Sequence, residues 1–204
     1  MRITAINSTL RNTLSTALIA GAIVVGTPTT KPQEQDKFEQ VYEIPPKGTS
    51  DFMKLLWAPS PKLKINGENH TAKIVIDLSE NVLYKYNDKG RATNAYLVAS
   101  GAKSTPSTPG IKVVTHVETY PYKSAPKTTK RYKNPKDYGP RIICLETVDP
   151  KTGKRGVTGE FIHGNNNPAS LGKYASKGCI RMDNEVIKEL AKEVKRGDFI
   201  LVTE

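Results

Sequence analysis

The chain is poor in the residues that staple or metallate a small protein. Its 204 residues include two cysteines, three histidines and one tryptophan. Two cysteines permit one disulfide, Cys144 to Cys179, which rules out a disulfide-built scaffold, and that bond would consume both thiols. No pair among the cysteines and histidines has the close spacing of a zinc site, so no metal and no cofactor is expected. Acid is scarce as well: 20 Asp and Glu against 31 Lys and Arg leave a net charge of +11. No basic helix and no aromatic-basic repeat accompanies that charge, which argues against nucleic acid as a partner. There is no internal repeat. The apolar stretch at the N-terminus, Leu14 to Gly26, is about thirteen small and apolar residues, short of the ~20 that a membrane-crossing helix needs.

What is present divides the chain in three. Residues 1–26 carry Arg2 and Arg11 ahead of that apolar stretch, the layout of a signal peptide that is either cleaved near Gly26 or kept as a membrane anchor. Either outcome places the protein outside the cytoplasm, in periplasm or cell wall, where the positive charge suits an anionic wall polymer. Contact with the membrane is then limited to the leader. Residues 27–70 are a stalk, interrupted by Pro28, Pro32, Pro45, Pro46, Pro59 and Pro61. Within it Phe52, Leu55, Leu56 and Trp57 are expected to dock on the domain that follows. Residues 71–204 are long enough to bury a core without staples.

In that last segment the apolar period is two. Ile74, Ile76 and Leu78 alternate along one run and Val82, Tyr84 and Tyr86 along the next, and Ser79-Glu80-Asn81 joins them as a hairpin. Residues 95–100, 111–119, 140–148 and 157–163 read as further strands. Asp183 is positioned to cap a helix from Asn184 to about Lys195, with Val186, Ile187, Leu190, Ala191 and Val194 as its apolar stripe. Phe199 to Val202 reads as a last strand. The expected fold is mostly β, sandwich-like or barrel-like, with one substantial helix. His116 on a strand and His70 in the linker read as surface or packing residues.

Chemistry concentrates between His163 and Ile180. Cys179 follows Ser176, Lys177 and Gly178 and precedes Ile180 and Arg181. A glycine lets backbone approach closely, and basic neighbours favour the thiolate, the nucleophilic form of cysteine. His163 supplies a base that titrates near neutral pH. Together they suffice for acyl transfer through a thioester. Cys179 is expected to attack a peptide carbonyl while His163 takes its proton. Backbone N–H groups of Gly178 and Cys179 are the expected oxyanion donors, and Lys177 with Arg181 is expected to tune the thiol. No acid stands out to orient His163, so a backbone carbonyl near Gly164 is assigned that task. Arg181 suits a substrate carboxylate, with an ion pair to Asp183 or Glu185 as the alternative. Asn165, Asn166 and Asn167 either donate to substrate amides or build the turn before Pro168. Ser176 either contacts substrate or His163, or hydrogen-bonds locally. Tyr138 and Gly139 are candidates to border the groove. Cys144, in Arg141-Ile-Ile-Cys-Leu-Glu146, reads as a buried, inert thiol.

The stretch His163-Gly164, a variable segment, then Ser176-Lys177-Gly178-Cys179-Ile180-Arg181 resembles the catalytic signature of the L,D-transpeptidases of the YkuD type. Lys177 stands where that family most often has histidine. The similarity extends upstream through Ile74 to Ser79 and Thr105 to Gly110. It implies the family's mostly β fold, with the helix after the nucleophile, and it implies a reaction. Cys179 would attack a peptidoglycan tetrapeptide stem, release terminal D-Ala, and pass the acyl group to an amine of another stem as a 3→3 cross-link. With water as acceptor the same thioester would make an L,D-carboxypeptidase. A papain-like peptidase is disfavoured, because there cysteine precedes histidine and sits near the mature N-terminus. A non-catalytic wall-binding module with the same fold is the remaining rival.

Overall fold

The computed structural model describes residues 59–204; the leader and most of the stalk, including the Phe52–Trp57 docking expectation, lie outside the described residues. Strand β1 (Lys62–Ile65) turns through Asn66 and Gly67, both at positive φ, into β2 (Glu68–Asp77). Leu63 and Ile65 point inward while Lys62 and Lys64 point out. This strand lies inside the 27–70 segment read as stalk, so the folded unit starts well before residue 71. Four alternating residues between Pro61 and a turn are too brief a pattern to stand out.

The hairpin to β3 (Val82–Tyr86) forms where its alternation places it, with Asp77 opposite Val82. The chain continues through β4 (Ala92–Leu97), the two-residue β5 (Ser100–Gly101) and the long β6 (Gly110–Thr119). An excursion, residues 120–140, carries a one-turn helix α1 (Lys130–Lys133) and a 3-10 turn (Pro135–Tyr138) before β7 (Arg141–Val148). Short strands β8 (Arg155–Gly156), β9 (Phe161–His163), β10 (Tyr174–Ser176) and β11 (Ile180–Arg181) precede helix α2 (Asn184–Glu193) and strand β12 (Phe199–Thr203). The strand expected over 157–163 is therefore only three residues long, because Val157 to Glu160 leave the ladder. The strand expected over 95–100 divides between β4 and β5.

The main sheet runs β11-β9-β7-β6-β12-β2-β3-β4, with β1 and β8 added at its margins; β5 and β10 form a separate pair. Its central strands bury both faces. Ile74, Ile76, Val114, Ile143, Ile162, Ile180 and Ile200 pack on one face against Ile187 and Leu190 of α2. Val75, Tyr84, Ile111, Val113 and Leu201 pack on the other with Leu63 and Ile65 of β1. A third, smaller cluster joins Tyr122 and Ala125 of the excursion to Ile142 and Cys144. At ~1.5–3 kcal/mol per fully buried large apolar side chain, the two large clusters hold the sheet, and the third holds the excursion down upon it.

α2 is capped as its sequence indicates: the Asp183 carboxylate accepts from the backbone N–H of Glu185 at 2.9 Å and of Val186 at 3.2 Å. The cap fixes where Asn184 stands, and Asn184 is part of the site.

Candidate active site

Registers across β6, β7, β9 and β11 place eight residues in two rows on one sheet face. His116, Cys144 and Phe161 are cross-strand partners, and Cys179, one residue ahead of Ile180, continues that row. Glu118, Ile142, His163 and Arg181 form the second. Ile162 and Ile180 point into the opposite core, so Cys179 and His163 share the face away from α2 as diagonal neighbours. A diagonal relation corresponds to roughly 7 Å between Cβ atoms, a span that a thiol and an imidazole can close. Arg181 and Cys179 act electrostatically on Tyr138, and Arg181 on both His163 and Cys179, which puts these side chains within electrostatic reach of one another; the Cys179 sulfur itself lies 3.9 Å from the Gly159 carbonyl.

His163 is 4% exposed, and its Nδ1 lies 2.6 Å from the Gly164 carbonyl oxygen. A carbonyl can only accept, so Nδ1 carries the hydrogen and the neutral ring keeps its lone pair on Nε2. Burial, opposed in part by that hydrogen bond, lowers the His163 pKa to about 4, with the Arg181 charge adding to the drop. The ring is therefore neutral at physiological pH. Tyr138 packs on it with ring centroids 4.7 Å apart. Tyr138 is held in turn by Tyr122, whose hydroxyl donates to the Gly139 carbonyl at 2.5 Å. Gly139 and Gly164 cross so closely that a Cβ on either would meet the other's backbone or the Asn184 Oδ1 within 2.9 Å. Asn184 fills that crossing, accepting from the Asn165 N–H at 2.8 Å and donating to its carbonyl at 3.0 Å.

Cys179 is half-buried and, like Cys144, a free thiol. It follows Gly178, whose φ of +107° is open to glycine and strained for other residues. Ser176 closes this turn, donating from Oγ to the Cys179 carbonyl at 2.5 Å and accepting from the Gly178 N–H at 3.1 Å. Ser107 donates to the Gly178 carbonyl at 2.7 Å and accepts from the Gly101 N–H at 2.9 Å. With the Gly178 carbonyl fixed in that direction, the trans peptide points the Cys179 N–H the opposite way. Glu160 supports the turn from beneath: it accepts from the Thr108 backbone and hydroxyl and pairs with the fully buried Lys112 at 2.8 Å.

Several expectations are corrected by this geometry. The Gly178 N–H is engaged by Ser176, so of the expected oxyanion donors only the Cys179 N–H remains. Ser176 is buried and spends its hydroxyl on the turn, not on substrate. Asn165 is buried too: its carboxamide donates to the Asn167 carbonyl at 2.7 Å and accepts from the Asn167 N–H at 2.7 Å. It builds the loop. Asn166 donates to Asp137 at 3.0 Å, tying that loop to the excursion. Lys177 is exposed, and the cations that favour the thiolate are Arg181 and Lys130 instead. Burial nevertheless raises the Cys179 thiol; the Phe161 N–H works against the rise and the Glu160 charge adds to it. The pair is therefore neutral thiol and neutral imidazole, where the sequence suggested a lowered thiol.

Arg181 has no carboxylate within ion-pair distance among the described residues. Asp183 is spent on the helix cap and Glu185 on Lys188. Sequence reasoning missed Ser107, Asn184, Tyr122 and the Lys112–Glu160 pair. Only Lys112, a lysine inside the apolar run Ile111 to Val114, left a trace in the sequence.

Among the described residues, His116, Glu118 and Cys144 are the one grouping that could hold a metal ion, their ligand atoms lying within 4.8 Å of one another. Arg131 already donates to both oxygens of Glu118, at 2.8 and 3.2 Å. A surface cavity of about 450 Å³ lies apart from Cys179, lined by residues such as Pro109, Val148 and Arg155. No helix among the described residues is long and apolar enough to cross a membrane.

The sequence profile of the L,D-transpeptidase catalytic domain (YkuD) matches residues 71–202. The chain belongs to that family. It is 56% identical over 41 residues to the Bacillus subtilis protein YkuD, and 42% identical over 43 residues to YqjB of the same organism. These matches cover 20% and 21% of this chain and 25% and 24% of those proteins; the chain thus spans about a quarter of the curated relatives it matches. Among solved structures, the Enterococcus faecium L,D-transpeptidase C442S mutant is 23% identical with a TM-score of 0.46, covering 65% of this chain and 49% of that one. The L,D-transpeptidase from Mycobacterium smegmatis is 16% identical with a TM-score of 0.44, covering 72% of each chain.

Proposed function

We propose that the protein is a peptidoglycan L,D-transpeptidase working outside the cytoplasm, exported or anchored by residues 1–26. Cys179 attacks the carbonyl that precedes the terminal D-Ala of a tetrapeptide stem, and its proton passes to Nε2 of His163. The tetrahedral oxyanion accepts from the Cys179 N–H. Collapse expels D-Ala, whose amine takes the proton back from His163, and leaves a thioester on Cys179. An amine of a second stem then attacks, His163 takes its proton, and the thiol is restored with a new amide cross-link.

The observation that carries this reading is the tautomer of His163. Its Nδ1–H is committed to Gly164, so the lone pair of a neutral ring is left on Nε2, on the face it shares with Cys179. A thiol raised by burial starts neutral, and its attack is then coupled to proton transfer to that base. Arg181 would receive a stem carboxylate in a bidentate fashion, a reading supported by the lack of any carboxylate within ion-pair distance of it among the described residues.

The test is product analysis of the purified protein with a disaccharide-tetrapeptide. Cross-linked dimer with free D-Ala supports transpeptidation, whereas tripeptide with free D-Ala assigns the protein to stem trimming. No D-Ala release, with Cys179 unreactive to a thiol reagent, would leave a non-catalytic wall-binding module.

A further inference from the structure

The positive charge is not spread evenly over the fold. Residues 121–138 contain Lys123, Lys127, Lys130, Arg131, Lys133 and Lys136 against a single acid, Asp137. Elsewhere many lysines are matched: Lys73 to Asp88, Lys85 to Glu193, Lys112 to Glu160, Lys188 to Glu185 and Lys192 to Glu189. In the excursion only Arg131 is matched, to Glu118, and Asp137 faces Asn166 instead of a cation. The remaining five lysines are exposed, with no ion pair among the described residues. Tyr120 and Tyr132 are exposed beside them.

This segment is held in place. Tyr122 is 0% exposed and packs with Ala125 on Ile142 and Cys144, and the Arg131 guanidinium lies 5.1 Å from the centre of the Phe161 ring. Five like charges within residues 123–136 are thus carried on a segment packed against the sheet, and a partner of repeating negative charge would offset their mutual repulsion.

From this arrangement we infer that the outer surface of residues 121–138 is a docking surface for a linear phosphodiester polymer. Lysine binds phosphate oxygens as a mobile point charge, and a string of exposed lysines complements a chain carrying one negative charge per repeat, while the one arginine here is occupied by Glu118. Duplex nucleic acid is a poor fit, since α1 is a single turn and cannot fill a major groove. Because the excursion packs beside Phe161, and Lys130 acts on the Cys179 sulfur, a bound polymer would hold the catalytic face against the wall. The inference concerns binding alone and stands apart from the reaction proposed for Cys179.

The experiment compares three forms of the full chain for binding to synthetic poly(glycerol phosphate) across a range of salt. They are the wild type, a variant with Lys123, Lys127, Lys130, Lys133 and Lys136 all replaced by Gln, and a control of equal net charge with Lys62, Lys64, Lys89, Lys154 and Lys195 replaced by Gln. The wild type should bind with steep salt dependence. The excursion variant should lose at least ~30-fold in affinity at low salt, with its log K against log salt slope reduced by about 3, while the control stays within about 3-fold of wild type. Equal losses in both variants would reduce the effect to net charge and overturn the inference. So would failure of the wild type to bind, or tighter binding to polyglutamate of the same charge.

Discussion

One sheet face carries two cysteines, each with a histidine close by, and their environments are opposite. Cys144 is 4% exposed beneath Tyr122 and Ala125, and burial and the Glu118 charge push its thiol up to about 12. Its cross-strand histidine, His116, has a side chain 58% exposed and turned toward Glu118 at 3.3 Å. Cys179 sits two strands away at the mouth of a glycine turn, half-open, beside a histidine that is buried, neutral and held by one carbonyl. Here the thiol is half-exposed and the imidazole is buried; in the first pair the thiol is sealed and the imidazole faces solvent. Residue types alone do not decide whether a thiol is accessible. What separates the pairs is which partner the fold buries.

The largest expected effect follows from that contrast. Cys179→Ser should reduce D-Ala release by at least ~10³-fold, while Cys144→Ser should change it by less than about 2-fold. Intact mass after carbapenem exposure should show one adduct, lost in the Cys179 variant alone. Equal impairment of both variants would erase the distinction.

A smaller effect should come from the groups that shape the turn. Ser176→Ala and Ser107→Ala should each lower kcat by about 10- to 100-fold with little change in KM, because they orient the Cys179 peptide and do not touch substrate. Thr115→Ala, which frees the His116 ring and the Cys144 carbonyl, is the matched control and should leave kcat unaltered. Steady-state kinetics on a stem tetrapeptide would decide.

Acid sharpens the comparison further. With the His163 pKa lowered to about 4, kcat/KM should hold well below pH 6.5, the ordinary histidine value, and fall only as pH approaches 4. The same shift acts on stability. The unfolded chain takes up a proton below about 6.5 that the folded ring refuses until about 4, so stability should be complete above 6.5 and decline across that window as pH falls. His163→Gln should flatten the decline in urea unfolding measured at successive pH values. The smallest effect is that of His116→Ala, expected to shift stability by no more than about 0.5 kcal/mol, as befits an exposed side chain.

Much of the fold is legible in the sequence. The β2–β3 hairpin declares itself through period-two alternation around Ser79-Glu80-Asn81, and α2 through its cap and apolar stripe. Both are local patterns, set by neighbours within a few residues. β1 and the brief β9 are not legible in this way, since strands of three or four residues carry too little periodicity and depend on a distant partner for their hydrogen bonds. In the site, Cys179, His163 and the carbonyl holding His163 can be named because they lie close together in one motif. Ser176 and Asn165 can be named but not assigned. A hydroxyl or carboxamide can serve a turn or a ligand, and only burial shows which.

The order of residues along the chain determined the inventory: one motif-borne thiol, one imidazole, a glycine that permits the turn, and a helix cap immediately downstream. Tertiary structure decided the chemistry available to them. Desolvation, the direction of a peptide held by Ser107, the crossing of Gly139 with Gly164, and the matching or isolation of each charge all depend on residues far apart in sequence. Electrostatics and solvent access act through space, and a linear sequence does not record the distances over which they act.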